Sequence, residues 1–394
     1  VTKKQFRAAS SFKFKVRIRK NMPDPSLLLI SQVFKEFQTN TRFVSARRIG
    51  TGHINDTYKI ETHTPNLSFV LQRINSSVFK DIPGLMKNIE IITQHIENKI
   101  ISGDPDATSF SMLKLISTNN QKSIFYDEFG DYWRLYNFIE GTESIDVVEN
   151  TELAYKGGKA FGLFQQLTSD IPIEILKETI PLFHDVDMRL ERFYKTIHED
   201  PEDRVKKLSR EIRFVKEREM EMKTIKNLVK EGKIPIRVTH NDTKFNNILF
   251  DRDKNAVCVV DLDTVMPGSI LYDFGDAIRT GVNRVNEDEK DLEKVGIELN
   301  LFRAYSEGYL EQAGKILNKA EISHLAFSAK YMTYLIGLRF LTDYLDGDHY
   351  YRIKHPNHNL QRARSQFRFL ESMEEEFDQM KRIISDIAQK KLTI

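Results

Sequence analysis

The sequence predicts an α+β protein in two lobes, a small antiparallel sheet followed by a larger, mostly helical part. Three observations carry that expectation. Between residues 43 and 138, β-branched and aromatic runs alternate with turn residues around one helical segment, in the order strand, strand, strand, helix, strand, strand. Beyond residue 140 the apolar spacing is helical over most of the chain. Within that helical part lies a short strand hairpin bracketed by His, Asp and Asn residues.

The first helix is expected over 26–38, where Leu27, Leu28, Ile30, Val33, Phe34 and Phe37 fall close to a helical period behind Ser26 as cap. Strands follow at 43–49, 57–62 and 69–74, the first two joined through Gly50 and Gly52. A helix over 83–100 precedes strands at 123–126 and 132–138. In the second lobe, a helix over 151–167 carries Gly157, Gly158 and Gly162, which permit close packing, and a long charged helix over 203–230 ends at Gly232. Short strands at 236–239, 248–250 and 257–260 lead to helices at 287–314, 319–345 and 359–390. The boundary is placed between 139 and 140, giving lobes of 22–139 and 140–394.

Bulk composition narrows the function classes. The 394 residues hold 59 basic and 57 acidic side chains, a formal charge of +2, so overall electrostatics offers no argument for nucleic acid or an anionic membrane as partner. No apolar run approaches the roughly 18 residues of a spanning helix. A single cysteine, Cys258, cannot form an internal disulfide or a thiolate metal cluster, which fits a reducing, cytoplasmic setting. Residues 1–21 hold eight Lys or Arg and no acid, with Phe12, Phe14, Val16 and Ile18 in strand-like alternation ahead of Met22 and Pro23. They are expected to be a leader or tag outside the fold, in preference to a targeting peptide.

The chemistry concentrates in His240-Asn241-Asp242-Thr243-Lys244-Phe245-Asn246-Asn247, then a hairpin into Asp261-Leu262-Asp263. Phosphoryl transfer needs a carboxylate beside the attacking hydroxyl, oxygen ligands for a hard cation, and positive charge on the phosphates. Asp242 fits the first role and Asn247 and Asp261 the second, with Asn247 at the five-residue offset of the kinase catalytic loop. Singly, such residues cap helices and shape turns. In this order, with the hairpin between, they point to a site. His240 reads as a loop-orienting or core histidine. Upstream, the Gly50–Gly52 turn between strands lets backbone N–H groups approach phosphate, with His53 and Asn55 as candidate phosphate-side contacts.

These residues resemble the aminoglycoside phosphotransferase and choline kinase superfamily, and within it most closely the N-acetylhexosamine 1-kinases. The resemblance runs from about 30 to 385. It is carried by Gly52-His53-Ile54-Asn55, Arg237 to Lys244, Asp261-Leu262-Asp263-Thr264, Met266-Pro267-Gly268-Ser269, Asp273-Phe274-Gly275-Asp276 and Arg339-Phe340-Leu341. It implies a protein-kinase-like fold, with 22–139 as the nucleotide-binding lobe and 140–394 carrying the catalytic loop and substrate site. ATP and magnesium would be the cofactors and a small-molecule sugar the acceptor. Asp242 becomes the base, Asn247 and Asp261 the metal ligands with Asp263 a further candidate, and Asp273 the loop support. Asp276, Arg279, Arg339, Asp343 and Tyr350 become substrate contacts, although Arg339 and Asp343 at i, i+4 would equally form an intrahelical ion pair.

Where many kinases carry a lysine or arginine on the third strand, this chain has Gln72. An amide there could bond both a phosphate oxygen and Glu90 of the following helix. Arg73 points to the other face of the strand. Adenine is expected between the lobes, hydrogen-bonded to the backbone around 136–140, which includes Asn137, with Val70 and Ile139 as apolar walls. The reaction implied is transfer of the ATP γ-phosphoryl to the anomeric hydroxyl of N-acetylglucosamine or N-acetylgalactosamine. Rival readings are a superfamily kinase for choline, homoserine or an aminoglycoside, a metal phosphohydrolase built on His240, Asp242, Asp261 and Asp263, and a nucleotide-binding module without turnover.

Overall fold

The structure, a computed structural model, describes residues 25–50, 54–107 and 110–392. The leader expected at 1–21 and the turn residues Gly52 and His53 lie outside the described residues.

Helix α1 (Leu27–Lys35) starts at Ser26, whose hydroxyl accepts from the Leu29 N–H at 3.2 Å, a cap worth about 1 kcal/mol. Strands β1 (Phe43–Arg48), β2 (Asp56–Thr62) and β3 (Ser68–Ile74) follow, then α2 (Ile82–Ile101), capped by Asp81 on the Gly84 N–H at 2.9 Å. Strands β4 (Leu115–Ile116), β5 (Phe125–Tyr126) and β6 (Tyr132–Asn137) complete an antiparallel sheet of order β1-β2-β3-β6-β4, with β5 also on β6. Strand β4, two residues long, carries no periodicity and is not foreseen from the sequence. The two-residue period turns Tyr58, Ile60, Phe69, Leu71, Trp133 and Leu135 onto α1 as a small apolar core. It turns Val70, Gln72, Arg134 and Tyr136 the opposite way, toward the second lobe.

That lobe begins with β7 (Glu143–Ser144), α3 (Thr151–Thr168), α4 (Val186–Glu199), α5 (Ser209–Met222) and α6 (Thr224–Lys230). Strands β8 (Arg237–Thr239), β9 (Ile248–Phe250), β10 (Ala256–Val259) and β11 (Met266–Gly268) come next. Helices α7 (Ile270–Gly281), α8 (Leu299–Ala313), α9 (Lys319–Leu345), α10 (His358–Glu375) and α11 (Phe377–Leu392) close the chain. Helices α3 and α8 touch backbone to backbone: a Cβ on Gly158 would lie 2.1 Å from the Tyr305 carbonyl oxygen, and one on Gly308 2.0 Å from that of Tyr155. Helix α9 is apolar nearly all round and runs through the interior, as such a helix must. No helix among the described residues is long and apolar enough to cross a membrane.

Several expected helices change. The helix at 203–230 is not continuous, because the Asp200 carboxylate takes the N–H groups of Arg204 and Val205 at 2.9 and 3.2 Å, and such local bonds compete with helix. The ladder then tightens again at Lys223, whose N–H reaches Met220 O. The helix expected from 287 starts at Leu299, since Glu287 and Glu298 are engaged by Arg279 and Arg284 in a loop. The helix at 359–390 divides at Glu376. Helices α4 and α7 are additions. The latter reads poorly as helix because Gly275 and two aspartates lower its propensity, and packing overrides that weak preference.

Candidate active site

The catalytic loop leaves β8 and enters a 3₁₀ turn at Phe245–Asn247. Two of its neighbours hold it from below. Asp273 on α7 accepts from the backbone N–H of His240 and of Asn241, each at 2.7 Å, and from Gln165 Nε2 at 2.5 Å. Thr264 donates its hydroxyl to His240 O at 2.6 Å, while Asn241 Nδ2 donates to Thr264 O at 2.9 Å. The pairing of β8 with β11 sets that register, Thr239 opposite Met266. Burial pushes Asp273 up to about 7 against the pull of its backbone donors.

His240 is sealed beneath the loop, edge-on to Phe161 and Phe164. Its Nε2 donates to Val260 O at 2.9 Å and its Nδ1 accepts from the Asp242 N–H at 3.3 Å, which makes it a neutral bracket between loop and hairpin. Burial lowers its pKa, in keeping with that state. Asn241 and Asp261 both take left-handed backbone angles, φ 63° and 61°, uncommon outside glycine and a frequent mark of functional loops.

Asp242 meets Lys244 Nζ at 2.9 Å and accepts from Asn247 Nδ2 at 3.2 Å. Burial would raise its pKa, but Lys244, His240 and Arg279 outweigh it, so the carboxylate stays below its ordinary range. Asn247 Nδ2 also donates to Asp242 O at 2.8 Å, which leaves Oδ1 as the atom for a cation. Asp261 faces the open cleft with no hydrogen-bonded side-chain partner among the described residues. The cleft walls withdraw its hydration, and Asp263 and Asp242 repel it, so its pKa is pushed up to about 7. A carboxylate crowded by two others, next to a free amide oxygen, fits a divalent cation. Among the described residues no cluster of three or more His, Cys, Asp or Glu is arranged to hold a metal. Magnesium needs none, since one or two carboxylates with phosphate and water suffice.

Asp263 behaves differently from the ligand foreseen for it. One oxygen meets Arg134 at 2.5 Å and the other accepts from Asn55 Nδ2 at 2.5 Å, so both are occupied by the first lobe. Arg134 itself is a residue that sequence reading misses. It stands directly opposite Gln72 in the β3–β6 register and donates Nε to Gln72 Oε1 at 2.9 Å, while Gln72 Nε2 donates to Thr57 at 3.0 Å. Gln72 is therefore joined to Arg134 and Thr57 rather than to Glu90, which instead lies 3.8 Å from Lys87. The cation absent from β3 stands on β6, on the same face.

Other foreseen nucleotide contacts have structural duties too. Gly50 takes φ 77° at the start of the turn, where a side chain would be strained. Asn55 Oδ1 accepts from the Asn75 N–H at 3.0 Å. Asn137 accepts the Lys114 N–H at 2.6 Å, and Ile139 O takes the Thr142 hydroxyl at 2.7 Å, fixing the segment between the lobes.

Among the residues expected to contact substrate, Asp276 and Arg279 pair at 2.9 Å and Arg279 also engages Glu287, so this arginine is consumed internally. Asp343 makes no ion pair with Arg339, correcting the i, i+4 expectation. It accepts from the N–H groups of His349, Tyr350 and Tyr351 at 3.0, 2.7 and 2.9 Å and from Asn359 at 2.9 Å, and so clamps the 349–351 loop at the wall of a pocket it shares with Arg339. Arg339 remains open to the pocket beside Tyr350. Arg189 on α4, not foreseen, lines the same pocket.

A profile of the phosphotransferase enzyme family matches residues 45–309, which span both the sheet and the catalytic loop. The chain belongs to that family. Solved structures similar to it include a spectinomycin phosphotransferase in complex with ADP and spectinomycin, at 14% identity and TM-score 0.55, covering 93% of this chain and 100% of that one. A choline kinase from Cryptosporidium parvum Iowa II is similar at 14% identity and TM-score 0.56, covering 90% and 97%. A microcompartment-associated aminopropanol kinase is similar at 12% identity and TM-score 0.53, covering 90% and 99%. At such identities the likeness shows the kinase-like fold. The family match ends before α9, so Arg339, Asp343 and Tyr350 lie beyond it.

Proposed function

We propose that this phosphotransferase is a small-molecule kinase that moves the γ-phosphoryl group of ATP to the anomeric hydroxyl of an N-acetylhexosamine, giving the sugar 1-phosphate and ADP. The observation that carries the kinase reading is the bonded unit of Asp242, Asn247 and the Asp273-supported loop, with the crowded Asp261 beside it. The structures similar to this chain include kinases solved with adenine nucleotide, which supports ATP as donor. The acceptor rests on the sequence resemblance, and the unpaired arginines of the acceptor pocket favour it over the cationic acceptors choline and aminoglycoside.

Asp242 accepts the hydroxyl proton as the new P–O bond forms and the bond to the ADP oxygen breaks. Lys244, within 2.9 Å of it, holds the carboxylate ionised and offers a cation to the incoming phosphoryl group. Asn247 and Asp261 would hold magnesium, which would neutralise phosphate charge. Arg134 answers the loss of the β3 lysine, which weakens the reading as a binding module without turnover. Incubation with magnesium-ATP and a panel of N-acetylglucosamine, N-acetylgalactosamine, choline, homoserine and an aminoglycoside tests the proposal. Sugar 1-phosphate formation is expected; transfer to choline alone, or nucleotide-independent phosphatase activity, would replace it.

A further inference from the structure

The acceptor pocket holds positive charge that its own wall does not balance. Arg189 and Arg339 line it together with Arg192, Asp343, Tyr350 and Tyr351. Arg192 is paired with Asp346 at 2.9 Å, whereas among the described residues neither Arg189 nor Arg339 has a carboxylate within ion-pair distance. The carboxylate on the wall, Asp343, has given both oxygens to the 349–351 backbone and Asn359. Arg189 donates one bond, to Phe183 O at 2.7 Å, and its Nε is shut off from solvent with no partner. Arg339 makes a 3.4 Å bond to the Tyr350 hydroxyl and otherwise lies over the rings of Phe183, Tyr350 and Tyr351, 5.3 to 5.6 Å from their centroids. Burial first, and then Arg339, pulls Arg189 down to about 9, a measure of how poorly its charge is compensated.

The pocket also abuts the chemistry. Phe183, whose carbonyl holds Arg189, precedes His184, and His184 Nε2 lies 3.2 Å from the carbonyl of Asn241, next to Asp242. Two guanidinium groups facing one partly apolar pocket repel each other. An oxyanion between them removes that repulsion and uses their planar donors, which suit carboxylate or phosphate.

We propose that the Arg189–Arg339 pocket binds an anionic oxygen group, carboxylate or phosphate, lying alongside the hydroxyl that is phosphorylated. The group belongs either to the acceptor itself, making acidic sugars better acceptors than neutral ones, or to a free oxyanion. The acceptor arm of the test rests on the kinase reading; the binding arm does not.

In the first arm, kcat/KM is measured for N-acetylglucosamine, N-acetylglucosamine 6-phosphate and glucuronic acid, with wild type, Arg189→Gln and Arg189→Lys. An acid-to-neutral ratio of at least about 10, the equivalent of roughly 1.4 kcal/mol, is expected in wild type, falling toward one in Arg189→Gln and partly kept in Arg189→Lys. In the second, inorganic phosphate is titrated calorimetrically into the same proteins with N-acetylglucosamine present. Arg189-dependent phosphate binding without acid preference assigns the site to a free oxyanion. Melting curves establish that each variant is folded, and Arg339→Gln replaces Arg189→Gln if that variant is not. Arg-independent results in both arms overturn the proposal. Absence of transfer to any acceptor defeats the kinase reading, and the calorimetric arm then decides the pocket alone.

Discussion

At the catalytic loop, the polar groups are largely matched within the protein: Asp273 with two backbone N–H groups, His240 with Val260 and Asp242, Asp263 with Arg134 and Asn55. At the Arg189–Arg339 pocket the balance is opposite, with neither arginine paired to a carboxylate among the described residues and Asp343 turned to its own loop. The difference separates two tasks. Phosphoryl transfer depends on groups that do not move during the reaction, so their positions are fixed by internal bonds. Acceptor recognition needs donors that are still unspent when the ligand arrives.

The sharpest test of the matched end is Asp242→Asn, which keeps shape and removes the carboxylate proposed as proton acceptor. Turnover is expected to fall by about 10²–10⁴-fold with nucleotide binding retained. Near-normal turnover in a coupled ADP-release assay would take Asp242 out of its role and leave the loop a structural turn.

Next comes the tie between lobes. Arg134 and Asp263 are both nearly sealed from solvent, and removing one partner leaves an uncompensated buried charge. Arg134→Gln is expected to cost about 3–5 kcal/mol of stability, read from denaturant midpoints, whereas an Asp263→Asn, Arg134→Gln pair should recover much of that. A loss below about 1 kcal/mol in the single variant would mean that the lobes open freely and the ion pair is incidental.

Asp261→Asn should weaken magnesium-nucleotide binding by more than the roughly 10–100-fold lost with an outer-sphere partner, since on the proposed reading it would remove an anionic ligand from the cation. Unchanged metal dependence would transfer the ligand role to Asp263 and require Arg134 and Asn55 to release it.

The two ends were unequally legible in the sequence. Asp242, Asn247 and Asp261 sit within one loop and its hairpin, so spacing alone brings them into view, and Asp273 came from a contiguous motif. Arg134 did not appear because its meaning lies across the sheet, in a register with Gln72 that no local pattern encodes. Arg189 stands on α4, a helix unmarked by the sequence reading, and meets Arg339 only through the packing of α4 on α9. The ion pair of Asp343 with Arg339 fails for a related reason: the helical spacing is real, but the 349–351 loop folds back and takes both oxygens. In the fold, the longer strands and the long buried helix were readable from period, whereas the two- and three-residue strands β4, β7 and β11 and the interruptions at Asp200 and Lys223 depend on side-chain and backbone bonds that periodicity does not register.

The smallest expected effect belongs to Gln72→Lys, which asks whether β3 lacks a cation or has been fitted around an amide. If charge is merely missing, lysine should raise catalytic efficiency, because a charge-assisted bond to phosphate is roughly twice as strong as a neutral one. The neighbouring strand argues for the opposite sign. Gln72 Oε1 receives Arg134 Nε at 2.9 Å, and lysine, which only donates, would replace that acceptor with a second positive charge facing the guanidinium. The repulsion would push Arg134 from Gln72 and disturb its hold on Asp263, so efficiency is expected to fall by about 5- to 10-fold, near 1–1.4 kcal/mol. Gln72→Glu separates charge from hydrogen bonding, since it keeps an acceptor for Arg134 and should hold stability while weakening nucleotide binding through its negative charge. A clear gain in kcat/KM for Gln72→Lys with an unchanged melting temperature would show that Arg134 does not stand in for the absent lysine.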